Sequence, residues 1–281
     1  MTRWSPVEGR AARYLAGSAL FSGGALVFLT SACEPDLEVG DWACVRAPME
    51  QAGGEAGAPA THEAIAVPWS TSFEDGFCGY SDAHGYCYAD VSTNDSSADA
   101  QYRLTSSPTH SGRLAATFRI DTSGDGQQSR CVRQGILPNE AYYGAWFFVP
   151  APVTSASNWN LMHFRGGDDG HGLWDVSIDR APSGALSLFV YDFLRDTKRV
   201  RTGNLLVPIG SWFHLVFFLR RAAADTGEIA LYQDGQRVLR LENIATDDSS
   251  WGQWYCGNLA RALTPADATI YVDDVSIDTK L

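Results

Sequence analysis

From Trp69 onward the chain alternates apolar and polar residues with period two, and no stretch there repeats at helical spacing. In GRLAATFRID, Leu114, Ala116, Phe118 and Ile120 share one parity, and Ala115, Thr117, Arg119 and Asp121 the other. LWDVSIDR sets Trp174, Val176 and Ile178 against Asp175, Ser177 and Asp179. Successive strand side chains point to opposite faces, so each run predicts a half-buried strand. WFHLVFFLRR is apolar on both parities, as a central strand requires. RAPSGA, AADTGE and YQDGQ supply hairpin turns between the runs. About a dozen such strands with Gly-rich turns predict an all-β domain, a two-sheet antiparallel β-sandwich, over residues 69–281.

The N-terminal part has another character. Arg3, Arg10 and Arg13 precede a charge-free run, residues 14–32, that ends in small residues. That order predicts an export signal over residues 1–32. The stretch LTSAC, residues 29–33, resembles the lipobox of bacterial lipoproteins, which implies lipidation of Cys33. It departs from the pattern in having Thr30 where Leu is usual. Glu34, rather than Asp, follows the cysteine, which by the same analogy implies the outer membrane, with the lipid as the only membrane contact. The rival is a secreted chain in which Cys33 pairs with Cys44. Residues 33–68, rich in Ala, Gly, Pro and Glu, read as a flexible tether.

Export implies oxidised thiols. Cys78, Cys87, Cys131 and Cys256 lie in the folded part and allow three pairings. The proximity of Cys78 and Cys87 favours joining them, with Cys131 then pairing Cys256. No CxxC occurs, so the spacing does not fit a zinc site. The chain carries a formal charge of −12. Loss of residues 1–32 removes Arg3, Arg10, Arg13 and Glu8, leaving 18 basic and 32 acidic side chains, a balance of −14. Nucleic acid is an unsuitable partner for such a surface, because phosphate neutralisation needs basic clusters.

SFEDG (residues 72–76), SSPTHSGRLAATF (106–118), GSWFHLVFFLRR with GEIALYQDGQRV (210–238) and YVDDVSI (271–277) resemble the concanavalin A-like lectin/glucanase superfamily. The nearest likeness is to its laminin-G-like jelly rolls and β-jelly-roll polysaccharide lyases, over roughly residues 70–281. The resemblance implies a concanavalin A-like jelly roll with its first and last strands adjacent. It also implies a structural calcium ion shared between an FE-D/G element and a DDV element. The matching residues are Glu74, Asp75, Asp273 and Asp274, with Glu74 and Asp274 the favoured ligands and Asp273 a further one. Calcium takes six to eight oxygens, and buried carboxylates need a cation or several donors. The competing reading is of strand-end acids hydrogen-bonded to a turn.

Sugars are held by aromatic platforms and planar hydrogen-bonding groups. WNLMHFR places Trp159, His163 and Arg165 on its polar parity, where successive positions are about 7 Å apart. Asp175, and Arg119 or Arg133, are candidates to join them. Three functions follow. The first is a carbohydrate-binding sandwich. The second is a lyase that cleaves uronic-acid polymers by β-elimination, with Arg165 neutralising the carboxylate, His163 as base and Tyr191 or Tyr143 as acid. The third is a non-catalytic envelope protein that binds another protein. The sequence ranks binding first, because lyase motifs are missing: there is no RxExR, LMHF stands where QIH is expected, and no YFKAGxYxQ closes the chain. A glucanase would need an ExDxxE-type strand, and there is none.

Overall fold

The structure is a computed structural model, and it describes residues 63–90, 100–122, 126–155, 159–167, 170–181, 183–199 and 205–281. The export signal, Cys33, Cys44 and most of the expected tether lie outside the described residues. No helix among the described residues is long and apolar enough to cross a membrane.

The alternating runs form strands. In chain order these are β1 (Trp69–Thr71), β2 (Gly85–Ala89), β3 (Gln101–Thr105), β4 (Ala115–Asp121), β5 (Gly126–Gly135) and β6 (Glu140–Phe148). Then come β7 (Thr154–Ser155), β8 (Trp159–Gly166), β9 (His171–Arg180), β10 (Leu186–Asp192), β11 (Thr197–Arg199) and β12 (Trp212–Arg220). The last are β13 (Gly227–Gln233), β14 (Gln236–Ile244), β15 (Gly252–Arg261), β16 (Leu263–Thr264) and β17 (Asp267–Asp278). One short 3₁₀ segment, Cys78–Tyr80, is the sole helical element among the described residues.

Two antiparallel sheets carry the domain. The first runs β14-β13-β12-β6-β17-β4-β3, with β1 paired to β17. The second runs β11-β10-β9-β8-β15-β5-β2. Thr71 lies opposite Val275, so the beginning and end of the sandwich are hydrogen-bonded neighbours as expected. The inward parities meet between the sheets. Phe118, Phe147, Phe213 and Phe217 from the first pack with Phe164, Trp174 and Trp254 from the second, all essentially without exposure. Burying each such side chain stabilises the fold by about 1.5–3 kcal/mol. Residues 63–68, read from composition as tether, already dock: Ile65 is in the core and its N–H donates to the Ile136 carbonyl.

The disulfide expectation needs correction. Cys87 pairs with Cys131, not with Cys78, and Cys256 is a free, buried thiol. Cys78 is disulfide-bonded through a different bridge. Strand register explains the outcome. Cys87 on β2 lies opposite Cys131 on β5, with Cα atoms 4.0 Å apart, and Cys131 in turn lies opposite Cys256 on β15. Three cysteines thus form one row across three strands, and proximity in sequence says nothing about that row. The bridge spans 44 residues, which in the chain-entropy account is worth about 4 kcal/mol.

Candidate functional site

The outer face of the second sheet carries a line of chemically active side chains. Register places Lys198 on β11 opposite Tyr191 on β10, and Tyr191 opposite Asp175 on β9. Asp175 lies opposite His163 on β8, and His163 opposite Tyr255 on β15. The row continues through Val132 on β5 to Tyr86 on β2. One step along the strands, Arg165 lies opposite Gln253, and Gln253 opposite Gln134.

Within this row His163 Nδ1 is hydrogen-bonded to the Asp175 carboxylate, which is 3% exposed. A carboxylate on Nδ1 fixes the tautomer of a neutral imidazole and leaves the Nε2 lone pair to accept a proton. On the other side of His163 stands Tyr255, with ring centroids 5.3 Å apart. The Tyr255 hydroxyl donates to Gln253 Oε1 at 2.6 Å and accepts from Arg165 Nη1 at 3.3 Å. Gln253 Nε2 donates to Gln134 Oε1 at 3.0 Å. The Arg130 guanidinium lies 4.5 Å from the centre of the Tyr255 ring. A histidine backed by a carboxylate, a phenol and two arginines therefore share one face of a chain whose net charge is strongly negative.

The structure brings together some of the expected residues and separates others. His163, Arg165, Asp175 and Tyr191 do share this face. Trp159 does not: it is 1% exposed, and its Nε1–H donates to Asn258 Oδ1 at 2.8 Å. A bulge at Leu161 is the reason. Asn160 and Met162 face successive residues of β9, so the parity of β8 reverses and Trp159, opposite Ile178, turns into the core. Arg119 belongs to β4 in the first sheet, where it pairs with Asp121 and Asp267. Arg133 points inward, bonded to Asp82 at 2.6 Å and stacked on Trp69. Tyr143 is a core residue whose hydroxyl is pushed up by burial. Tyr191 bonds to Asp196, which raises its hydroxyl above the usual range, and it stands one strand beyond Asp175. The phenol beside His163 is Tyr255. Sequence reasoning missed it, although in GQWYCGNLAR the parity of Gln253 and Tyr255 opposes that of Trp254 and Cys256.

Of the acids expected to hold calcium, Asp273 and Asp274 lie on β17 of the first sheet, and Glu74 lies in the turn after β1. All three grip the segment 110–114. Glu74 Oε1 accepts from the Arg113 and Leu114 N–H groups at 2.7 and 2.8 Å, and these bonds hold its carboxyl below the usual value. Gly112 makes the approach possible, since a Cβ there would collide with Glu74 Oε1 and its φ is +59°. Asp273 Oδ2 accepts from the N–H groups of His110 at 2.9 Å and Ser111 at 3.2 Å. Asp274 accepts from His110 Nδ1 at 2.6 Å and Ser111 Oγ at 2.9 Å. Neighbours on a regular strand diverge, but Asp274 has φ +44° and β17 shifts register between Asp273 and Ser276, so both carboxylates reach one loop. No group of three His, Cys, Asp or Glu side chains suited to one metal ion occurs among the described residues. The His110 ring stacks on Trp146 at 3.6 Å, and Trp146 on His214 at 4.9 Å. A cavity of about 530 Å³, lined by Glu74, Trp146, His214 and Asp274 among others, opens on this sheet rather than at the His163 row.

No protein-family model and no curated protein matches the chain. Solved structures do. The cellulose-induced protein Cip1 aligns with a TM-score of 0.54 at 14% identity, covering 75% of this chain and 97% of that one. A variant of the alginate lyase Aly36B, in complex with an alginate trisaccharide, aligns with a TM-score of 0.50 at 10% identity, covering 80% of this chain and 100% of that one. An endo-β-1,4-glucuronan lyase from the fungus Trichoderma reesei reaches 0.49 at 18% identity, over 69% and 90% of the two chains. With the two-sheet topology, the first two likenesses assign the chain the concanavalin A-like jelly-roll fold.

Proposed function

We propose that this chain is a polysaccharide lyase that cleaves uronic-acid polymers by β-elimination. The sequence alone ranks binding above catalysis; the arrangement around His163 supports the opposite order. The observation that carries the reading is the contiguous set Asp175–His163–Tyr255–Arg165, in which a base, an acid and a cation are mutually bonded or in ring contact on one open sheet face. Sharing a fold with an alginate lyase agrees with it.

Each residue type answers one demand of the reaction. The C5 proton of a uronate is abstracted only when the neighbouring carboxylate is neutralised. Arg165, with the amides of Gln253 and Gln134, is the group for that task. His163 Nε2 removes the proton, and Asp175 stabilises the imidazolium that forms. The C4–O bond breaks as the C4=C5 bond forms, and Tyr255 donates its hydroxyl proton to the departing oxygen. General acid–base help of this kind contributes about 10²–10⁴-fold.

The test is ultraviolet absorbance of the unsaturated ends released from alginate, polyglucuronate and pectate. Wild-type protein should release them, and His163→Ala should lose at least ~100-fold of the rate while the protein remains folded, with a lower melting midpoint because Asp175 loses its partner. Retention of a polysaccharide without release of unsaturated ends would return the chain to the binder reading.

A further inference from the structure

An exposed aromatic ring stands at the edge of the proposed site without a part in the chemistry just described. Phe193 is 40% exposed, at the start of the turn between β10 and β11. Its ring lies 5.8 Å from that of His163 and 4.8 Å from that of Tyr191, edge-on to both. The turn is not loose. Asp192, with no exposure, accepts from the Arg195 N–H and Nη1 at 3.2 Å each and from Arg199 Nη2 at 3.3 Å. Arg195 Nη1 also donates to the Ala245 carbonyl, and the Phe193 N–H donates to the Leu173 carbonyl at 3.1 Å. Beneath the ring is Gly172, where a Cβ would lie 2.9 Å from it, so a residue without a side chain makes room for the phenyl group.

Three costs meet here: an apolar ring left in water, a buried carboxylate, and a glycine inside a strand. The carboxylate and the glycine set the ring's place beside the base, and neither is needed to fold a polar hairpin. We propose that Phe193 is a sugar platform. Its open face takes the C–H face of a pyranose ring adjoining the cleaved bond and sets which unit of the polymer is held there. The proposal rests on the lyase reading and adds a specificity residue to it. Phe193 exchanges no proton, so its contribution is to binding.

The experiment separates KM from kcat. Phe193→Ala should raise KM for a uronate polymer about fivefold to tenfold, the scale of one lost aromatic contact, while kcat stays within about twofold and the pH profile does not move. Phe193→Trp should restore KM. Gly172→Ala, which keeps the phenyl group but displaces it, should shift KM in the same direction as Phe193→Ala. Melting midpoints check that each variant is folded. An active wild type whose KM is indifferent to Phe193→Ala overturns the platform and leaves the lyase reading standing. The same holds if kcat falls in place of a rise in KM. A wild type that releases no unsaturated ends from any uronate polymer overturns both.

Discussion

The outer faces of the two sheets are both rich in acids, histidines and aromatic rings, yet they use them differently. On the first sheet, Glu74, Asp273 and Asp274 spend their oxygens on N–H and O–H groups of the segment 110–114, and His110 and His214 lie flat on either side of Trp146. That chemistry fastens a loop to a strand. On the second sheet, His163 bonds to Asp175 of its own row, while Tyr255 bonds to Gln253 and Arg165 one step along the strands, and Gln253 bonds on to Gln134. Composition does not tell the two arrangements apart; the identity of the bonding partners does.

The sharpest way to break this contrast is a pair of substitutions. Tyr255→Phe should cut the rate of elimination by about 100-fold or more with little change in melting midpoint. Asp273→Ala should do the reverse. It leaves the His110 and Ser111 N–H groups without their acceptor, at a cost of about 1–3 kcal/mol, and the midpoint should fall by several degrees with the rate retained. If both variants lose rate and stability together, the two faces are not separable.

Acidification gives a smaller, graded test. Burial holds His214 below the ordinary histidine value of 6.5. A depressed value in the fold contributes stability that is present above about pH 6.5 and is lost as pH falls through the folded value. Lowering the pH from about 7.5 to about 5.5 should therefore lower the melting midpoint, and His214→Asn should flatten the slope. Asp273 has the opposite sign. Burial raises it above 3.8, so its contribution is present below 3.8 and is lost as pH rises through the folded value. The smallest effect expected is that of a calcium chelator. The carboxylates of Glu74, Asp273 and Asp274 already have donors, so the midpoint should stay within about 1 °C. A drop of several degrees would make calcium part of the fastening.

Much of the fold was legible because strand parity is a local property. Leu114, Phe118, Trp174 and Ile178 point inward as their alternation requires. Of the candidate site, His163, Arg165 and Asp175 were legible for the same reason. The misreadings fall where parity breaks or where register between distant strands decides. The bulge at Leu161 turned Trp159 inward. Tyr255 and the Cys87–Cys131 bridge depend on which residue of β15 or β2 lies opposite which residue of β8 or β5, and no single run of sequence carries that information.

The row of cysteines has a consequence for the tyrosine. Cys87, Cys131 and Cys256 are the chain neighbours of Tyr86, Val132 and Tyr255, so a covalent cross-tie and one buried free thiol form the underside of the strands whose upper side presents the phenol. Reduction of the Cys87–Cys131 bridge would remove the covalent tie between β2 and β5, the strand against which the Tyr255 strand pairs. Under the proposed lyase reading, the oxidation state of the surroundings bears on the catalytic face as well as on the fold.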